Sequence, residues 1–114
     1  MFLNMQLILF WKKPVSDAEE TLSFQLTALG IPFEREVVLP GRKFRYDFKV
    51  DDMLIEVQGG VWLKGESGHS SGVGITRDCK KSQFACENGF RFMAVTTGQV
   101  TSGEAVNVIE KCRR

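Results

Sequence analysis

The chain has 114 residues, 43% hydrophobic and 25% charged, with a formal net charge of +1. That length suits one domain with a single core and leaves little for a second. The near-neutral balance does not announce a nucleic-acid binder, so any such role must come from where the charges sit rather than from their sum.

Residues 1–15 open with the apolar run Met1 to Trp11. The run is too short to span a bilayer and lacks the basic start and small-residue cleavage site of a signal peptide. It is expected to form an arm or extra strand that packs on this chain or a partner, ahead of a single domain over 16–114. A first helix follows Pro14, with Ser16 or Asp17 as its cap. Glu19 and Glu20 suit the positive end of its dipole, and Leu22, Leu26 and Leu29 face the core. Gly30 and Pro32 end it. Residues 33–39 read as a Val-rich strand bounded by Pro32 and Pro40.

Two further strands come next, joined by a tight hairpin at Asp51-Asp52. In the first, Phe44, Tyr46 and Phe48 alternate with Arg45, Asp47 and Lys49. In the second, Leu54, Glu56 and Gln58 alternate with Ile55 and Val57. A glycine- and serine-rich stretch over 59–74 has the length of a functional or mobile loop. Thr76 is placed to cap a helix over 77–88, residues 90–96 form a last strand, and Ser102 caps a helix over 102–112. The order α-β-β-β-α-β-α predicts an α/β fold with a mixed central sheet flanked by helices. Cys79, Cys86 and Cys112 are three in number, which excludes a closed disulfide framework, and their spacings suit no zinc site. They are expected to be buried reduced thiols of a cytoplasmic protein.

Chemistry concentrates on the hairpin. A carboxylate inside a strand as apolar as Leu54-Ile55-Glu56-Val57 is costly unless paired, and a second on the neighbouring strand at Asp47 adds repulsion. A hard dication such as magnesium, which takes oxygen ligands and keeps waters, answers both. The Val57 carbonyl would complete part of its shell. Arg42, Lys43, Arg45, Lys49, Lys64, Arg77, Lys80 and Lys81 gather around this candidate site in sequence, as a phosphate-binding surface requires. Trp62 could stack on a base or sugar, or belong to the core. His69, the only histidine, could serve as general acid or base, as a phosphate contact, or stand exposed. Gln58 can orient a water or a phosphate oxygen but supplies no positive charge. The second helix sets Asp78, Lys81 and Ala85 on one face, which makes Lys81 the candidate cation.

Asp47 followed by Glu56-Val57-Gln58 resembles the PD-(D/E)XK nuclease superfamily, with glutamine where the usual pattern has lysine. With Gly59-Gly60-Val61-Trp62, His69 and Asp78-Cys79-Lys80-Lys81, the stretch is similar to small phage and prophage endonucleases. Those are akin to the very-short-patch-repair and Holliday-junction-resolvase branches. The likeness covers residues 16–109. It implies a restriction-endonuclease-like core and a Mg2+-dependent endodeoxyribonuclease, with Mn2+ able to substitute. It also implies a first-helix glutamate that reaches the metal, here Glu19 with Glu20 as the adjacent alternative, and a helix lysine, here Lys81. Between His69 and Gly72, where the related sequences carry a basic residue, this chain has Ser70 and Ser71. The expected substrate is DNA, branched or mismatched, cut by a homodimer in replication, recombination or repair, with no membrane partner. The alternatives are a catalytically inactive nucleic-acid-binding module of the same fold and a structural phage protein.

Overall fold

The computed structural model describes residues 17–59 and 72–114. Helix α1 (Asp17–Ala28) carries Asp17, Glu19 and Glu20 in its first turn and buries Ala18, Leu22 and Leu26, one per turn. It ends in a Schellman turn. The Ile31 N–H reaches the Leu26 carbonyl at 3.0 Å, the Gly30 N–H reaches Thr27 at 3.0 Å, and Gly30 takes φ +70°. Leu29, expected to face the core, is instead 48% exposed, because the chain reverses at Gly30 and Ile31 takes the inward place at 3%.

Strands β1 (Glu34–Val38), β2 (Arg45–Val50), β3 (Met53–Gln58) and β4 (Arg91–Thr96) form one sheet in that order. The first two contacts are antiparallel and β3–β4 is parallel. Val50 pairs with Met53, so the hairpin closes through Asp51-Asp52 alone, with Asp51 at φ +54°. Between β3 and β4 runs α2 (Gly72–Glu87), a right-handed crossover being the usual way to join parallel neighbours. This helix begins upstream of Thr76, at Gly72, and most of the glycine- and serine-rich stretch over 59–74 lies outside the described residues.

The carboxy-terminal helix is divided. β4 runs directly into α3 (Thr97–Ser102), capped by Thr96, whose Oγ1 accepts the Gln99 N–H at 3.1 Å while the Gln99 side chain accepts the Thr96 N–H at 3.0 Å. Gly103, at φ +87°, then breaks the helix before α4 (Glu104–Lys111). Ser102 therefore ends one helix rather than opening the next.

Two apolar layers flank the sheet. On one face Leu22, Leu26, Phe48, Val50, Met53, Ile55, Val100 and Ile109 pack together, drawn from α1, the hairpin, α3 and α4. On the other, Leu39, Tyr46, Leu54 and Ala85 pack with Val37, Phe44, Phe84, Phe90 and Phe92, beneath α2. The thiols are not the buried set expected. Cys79 and Cys86 lie exposed on α2, and Cys112 is half-buried. Among the described residues no helix is long and apolar enough to cross a membrane. The arm over 1–15 lies outside the described residues.

Candidate active site

The alternation of β2 breaks at Asp47. Phe48 and Val50 face α1 and α4, whereas Tyr46 and Phe44 face α2, so the three aromatics do not share one face as strict period-2 reading requires. Strand β1 turns over at the same level. Phe33 packs with the first layer and Val37 with the second, and Glu36 between them takes φ +54°. The β1–β2 register runs Arg35↔Phe48 and then Val37↔Tyr46, skipping Glu36 and Asp47, while the β2–β3 pairing stops at Phe48↔Ile55. Beyond that point side chains replace the ladder.

The replacement is reciprocal. The Val57 N–H donates to Asp47 Oδ2 at 2.9 Å, and the Asp47 N–H donates to Glu56 Oε1 at 3.2 Å. Two carboxylates thus stand where backbone carbonyls would have closed the sheet, and they satisfy N–H groups that burial would otherwise orphan. Because Val57 turns its N–H toward β2, its carbonyl projects along that same edge.

Lys81 of α2 completes the group. It is only 7% exposed. Its Nζ donates to the Arg45 carbonyl at 2.7 Å, makes a short contact with Glu56 Oε2, and lies 5.2 Å from the centre of the Tyr46 ring. Burial pushes the Glu56 carboxyl above its ordinary range, the nearby Asp47 charge adds to the rise, and Lys81 opposes it. The cation demanded by the paired carboxylates is therefore, in part, a lysine of the chain itself. Tyr46 is fully buried, its hydroxyl donates to the Lys81 carbonyl at 2.7 Å, and its pKa is raised, chiefly by burial and then by Glu56.

These groups sit at the base of a cleft of about 410 Å³ lined by Val38, Lys43, Arg45, Asp47, Glu56, Arg77, Asp78 and Lys81. Basic groups come from the β1–β2 connection, from β2 and from α2, while the acidic pair comes from the open end of the hairpin. The Arg42 guanidinium lies 4.9 Å from the Phe44 ring centre and 5.9 Å from that of Phe84. Gly41 keeps this connection close to α2: at φ +101°, a Cβ there would meet Phe84 at 3.4 Å.

Other described residues singled out in the sequence do not line the cleft. Glu19 lies 3.9 Å from Arg35, whose guanidinium also pairs with Glu20 at 3.1 Å and covers the Phe48 ring. Gln58 is at the end of β3, opposite Thr96, and is not among the described residues that line the cleft. Lys80 is exposed on α2. Lys49 turns to Glu34 at 3.5 Å and to the Phe90 ring. Trp62, Lys64 and His69 lie outside the described residues.

Sequence reading missed Tyr46, which alternation with Phe44 and Phe48 files as ordinary core. A signal existed: the chain has nine phenylalanines and one tyrosine, and a buried hydroxyl calls for a partner.

Among the described residues no group of three or more His, Cys, Asp or Glu is placed to hold a metal. Asp47, Glu56 and the Val57 carbonyl make an all-oxygen set, and carboxylate oxygens that already accept one hydrogen bond retain lone pairs. Such a set fits a hard dication that keeps several waters, and does not fit a thiolate or imidazole metal.

No protein-family model matches the chain, and no curated protein does either. Among solved structures it is similar to the catalytic domain of the homing endonuclease I-Bth0305I. The TM-score is 0.63 at 18% identity, over 85% of this chain and 93% of that domain. At that identity the likeness is one of fold: this chain shares the mixed α/β architecture of that domain.

Proposed function

We propose that the protein is a metal-dependent DNA endonuclease of the PD-(D/E)XK type. The observation that carries this reading is the Asp47–Glu56–Lys81 group at the base of a basic cleft. It stands on a fold shared with a homing endonuclease catalytic domain.

Asp47 and Glu56, with the Val57 carbonyl, would hold Mg2+ or Mn2+, which when bound supplies an activated water and neutralises charge on the phosphate. Lys81 contributes a fixed positive charge beside that phosphate, taking the place of the superfamily lysine that Gln58 replaces. Lys43, Arg45 and Arg77 line the cleft and would meet neighbouring phosphates, with Arg42 beside Lys43 and Lys80 on α2 adding to them. Gln58 would orient a water, His69 would exchange a proton with the leaving oxygen, and Lys64 and Trp62 would contact the strand. Glu19 of α1 would join through the metal's water shell.

The preferred substrate is proposed to be branched or mismatched DNA, cut by a homodimer in recombination or repair. One domain offers one site, and two symmetric cuts need a two-fold pair. A cleavage panel of linear duplex, flap, mismatch and four-way junction DNA, each with Mg2+ or Mn2+, tests the reading. Metal-dependent cutting, faster on the branched substrates, is the expected result. Binding without cutting under every condition would favour the inactive nucleic-acid-binding module.

A further inference from the structure

We infer that Tyr46 is the positioning residue of Lys81, setting the ammonium at the base of the cleft. This rests on the role just proposed for Lys81. Tyr46 touches Lys81 at both ends: its hydroxyl donates to the lysine's carbonyl at 2.7 Å, and its ring centre lies 5.2 Å from Nζ. The ammonium has three N–H bonds to place. The Arg45 carbonyl takes one at 2.7 Å, Glu56 takes another, and the Tyr46 ring face lies beside the third.

The Lys81 carbonyl lies within α2, so the tyrosine hydroxyl is an added contact on a group the helix already uses. It ties one particular turn of α2 to β2 at the level where the sheet opens. Tyr46 and Lys81 are 35 residues apart in sequence, so the contact sets how the helix lies over the carboxylates. The neighbouring ring contacts lack this link. Tyr46 packs edge-on against Phe92 at 6.1 Å, and Phe44 likewise against Phe84 at 6.0 Å. The first stays within the sheet and the second reaches α2 by packing alone, without a hydrogen bond.

A buried phenylalanine at position 46 would keep the packing and remove only the hydroxyl. The experiment is therefore a double-mutant cycle of Tyr46→Phe and Lys81→Ala, read as steady-state kcat and KM for cleavage of a labelled duplex with Mg2+. Alongside it, the 15N-resolved ammonium signal of Lys81 is recorded in metal-free wild type and in Tyr46→Phe. Tyr46→Phe should lower kcat by about tenfold with KM unchanged, the scale of one lost hydrogen bond to a well-placed group. That loss should vanish in the Lys81→Ala background, because residues acting through one another are non-additive. The ammonium signal, protected in the wild type, should broaden by exchange in Tyr46→Phe. An unchanged kcat in Tyr46→Phe, a loss that persists undiminished beside Lys81→Ala, or an equally protected ammonium in both proteins would overturn the inference. Full activity in Lys81→Ala would instead remove the catalytic role of Lys81, and the ammonium measurement would still decide whether Tyr46 holds it.

Discussion

The β2–β3 hairpin is built in two ways at its two ends. Near the turn, Phe48, Lys49 and Val50 pair in register with Ile55, Leu54 and Met53, and the residues facing α1 and α4 are fully buried. Six strand residues, Phe48 to Val50 and Met53 to Ile55, form ordinary paired sheet there. One position further out the ladder stops, and Asp47 and Glu56 carry the hydrogen bonds instead. The acidic groups of β3's two ends respond in opposite senses. At the turn, the Arg91 guanidinium, donating to Asp52 at 2.8 Å, holds that exposed carboxyl below its ordinary value. At the open end, burial raises Glu56. A carboxylate that the fold uses only as a staple is left in solvent beside an arginine. One kept at the base of a cleft is desolvated and needs a cation.

The largest expected effect comes from the open end. Asp47→Asn should abolish cleavage, a loss of about 1000-fold or more, while circular dichroism shows a folded protein. Asp47→Ala should also destabilise, by about 1–3 kcal/mol, because it leaves the Val57 N–H without its acceptor. Comparable cutting by wild type and Asp47→Asn would make the open end another staple.

The regular end should fail in the other currency. Phe48→Ala removes a fully buried ring and should cost about 3–5 kcal/mol of stability. Chemical denaturation would measure this, and an unchanged midpoint would mean that the core does not sit where the hairpin places it.

Next in size is Lys81→Ala, expected to slow turnover by about 100-fold, the scale of a lost electrostatic contact in the transition state. Gln58→Ala, outside the described lining of the cleft, should slow it by only a few-fold. Steady-state kinetics on one substrate compares the two, and equal small losses would move the required charge to Lys43, Arg45 or Arg77.

Asp52→Asn should do least. Asp52 has a folded pKa below its ordinary value of 3.8. Its contribution to stability is present above that value and is lost as pH falls through the lower folded one. Melting curves from pH 5 downward should therefore show a slightly weaker acid dependence in the variant, with cleavage at neutral pH unchanged. A drop in cleavage would show that the turn and the open end are coupled.

Much of this contrast was legible in the sequence. Polar residues at fixed offsets in apolar runs marked Asp47 and Glu56, and helical spacing put Asp78, Lys81 and Ala85 together; Asp78 and Lys81 line the cleft and Ala85 is buried. The order of strands and helices also followed from turn residues and periodicity. What periodicity could not reveal was the reversal at Asp47 and Glu36, because a period-2 rule assumes an unbroken ladder. For the same reason Tyr46 and Phe48 were assigned to one face. Capping chemistry likewise misled at the carboxy-terminal end. Ser102 is a good cap by type, but Thr96 with Gln99 forms the capping box, and Gly103 supplies the break. Glu19 takes the first-turn position in α1 that its spacing implied.

Whether Asp47 and Glu56 stand apart from the ladder to bind a metal is decided by Mg2+ titration of thermal stability. Wild type, Asp47→Asn and Glu56→Gln would be melted at neutral pH across a millimolar range of Mg2+. A ligand that binds only the folded state stabilises it by RT ln(1 + [L]/Kd). The wild-type midpoint should therefore climb with the logarithm of metal concentration once the site begins to fill, while both variants stay flat. A wild-type midpoint that does not move, or that moves equally in all three proteins, would contradict the claim.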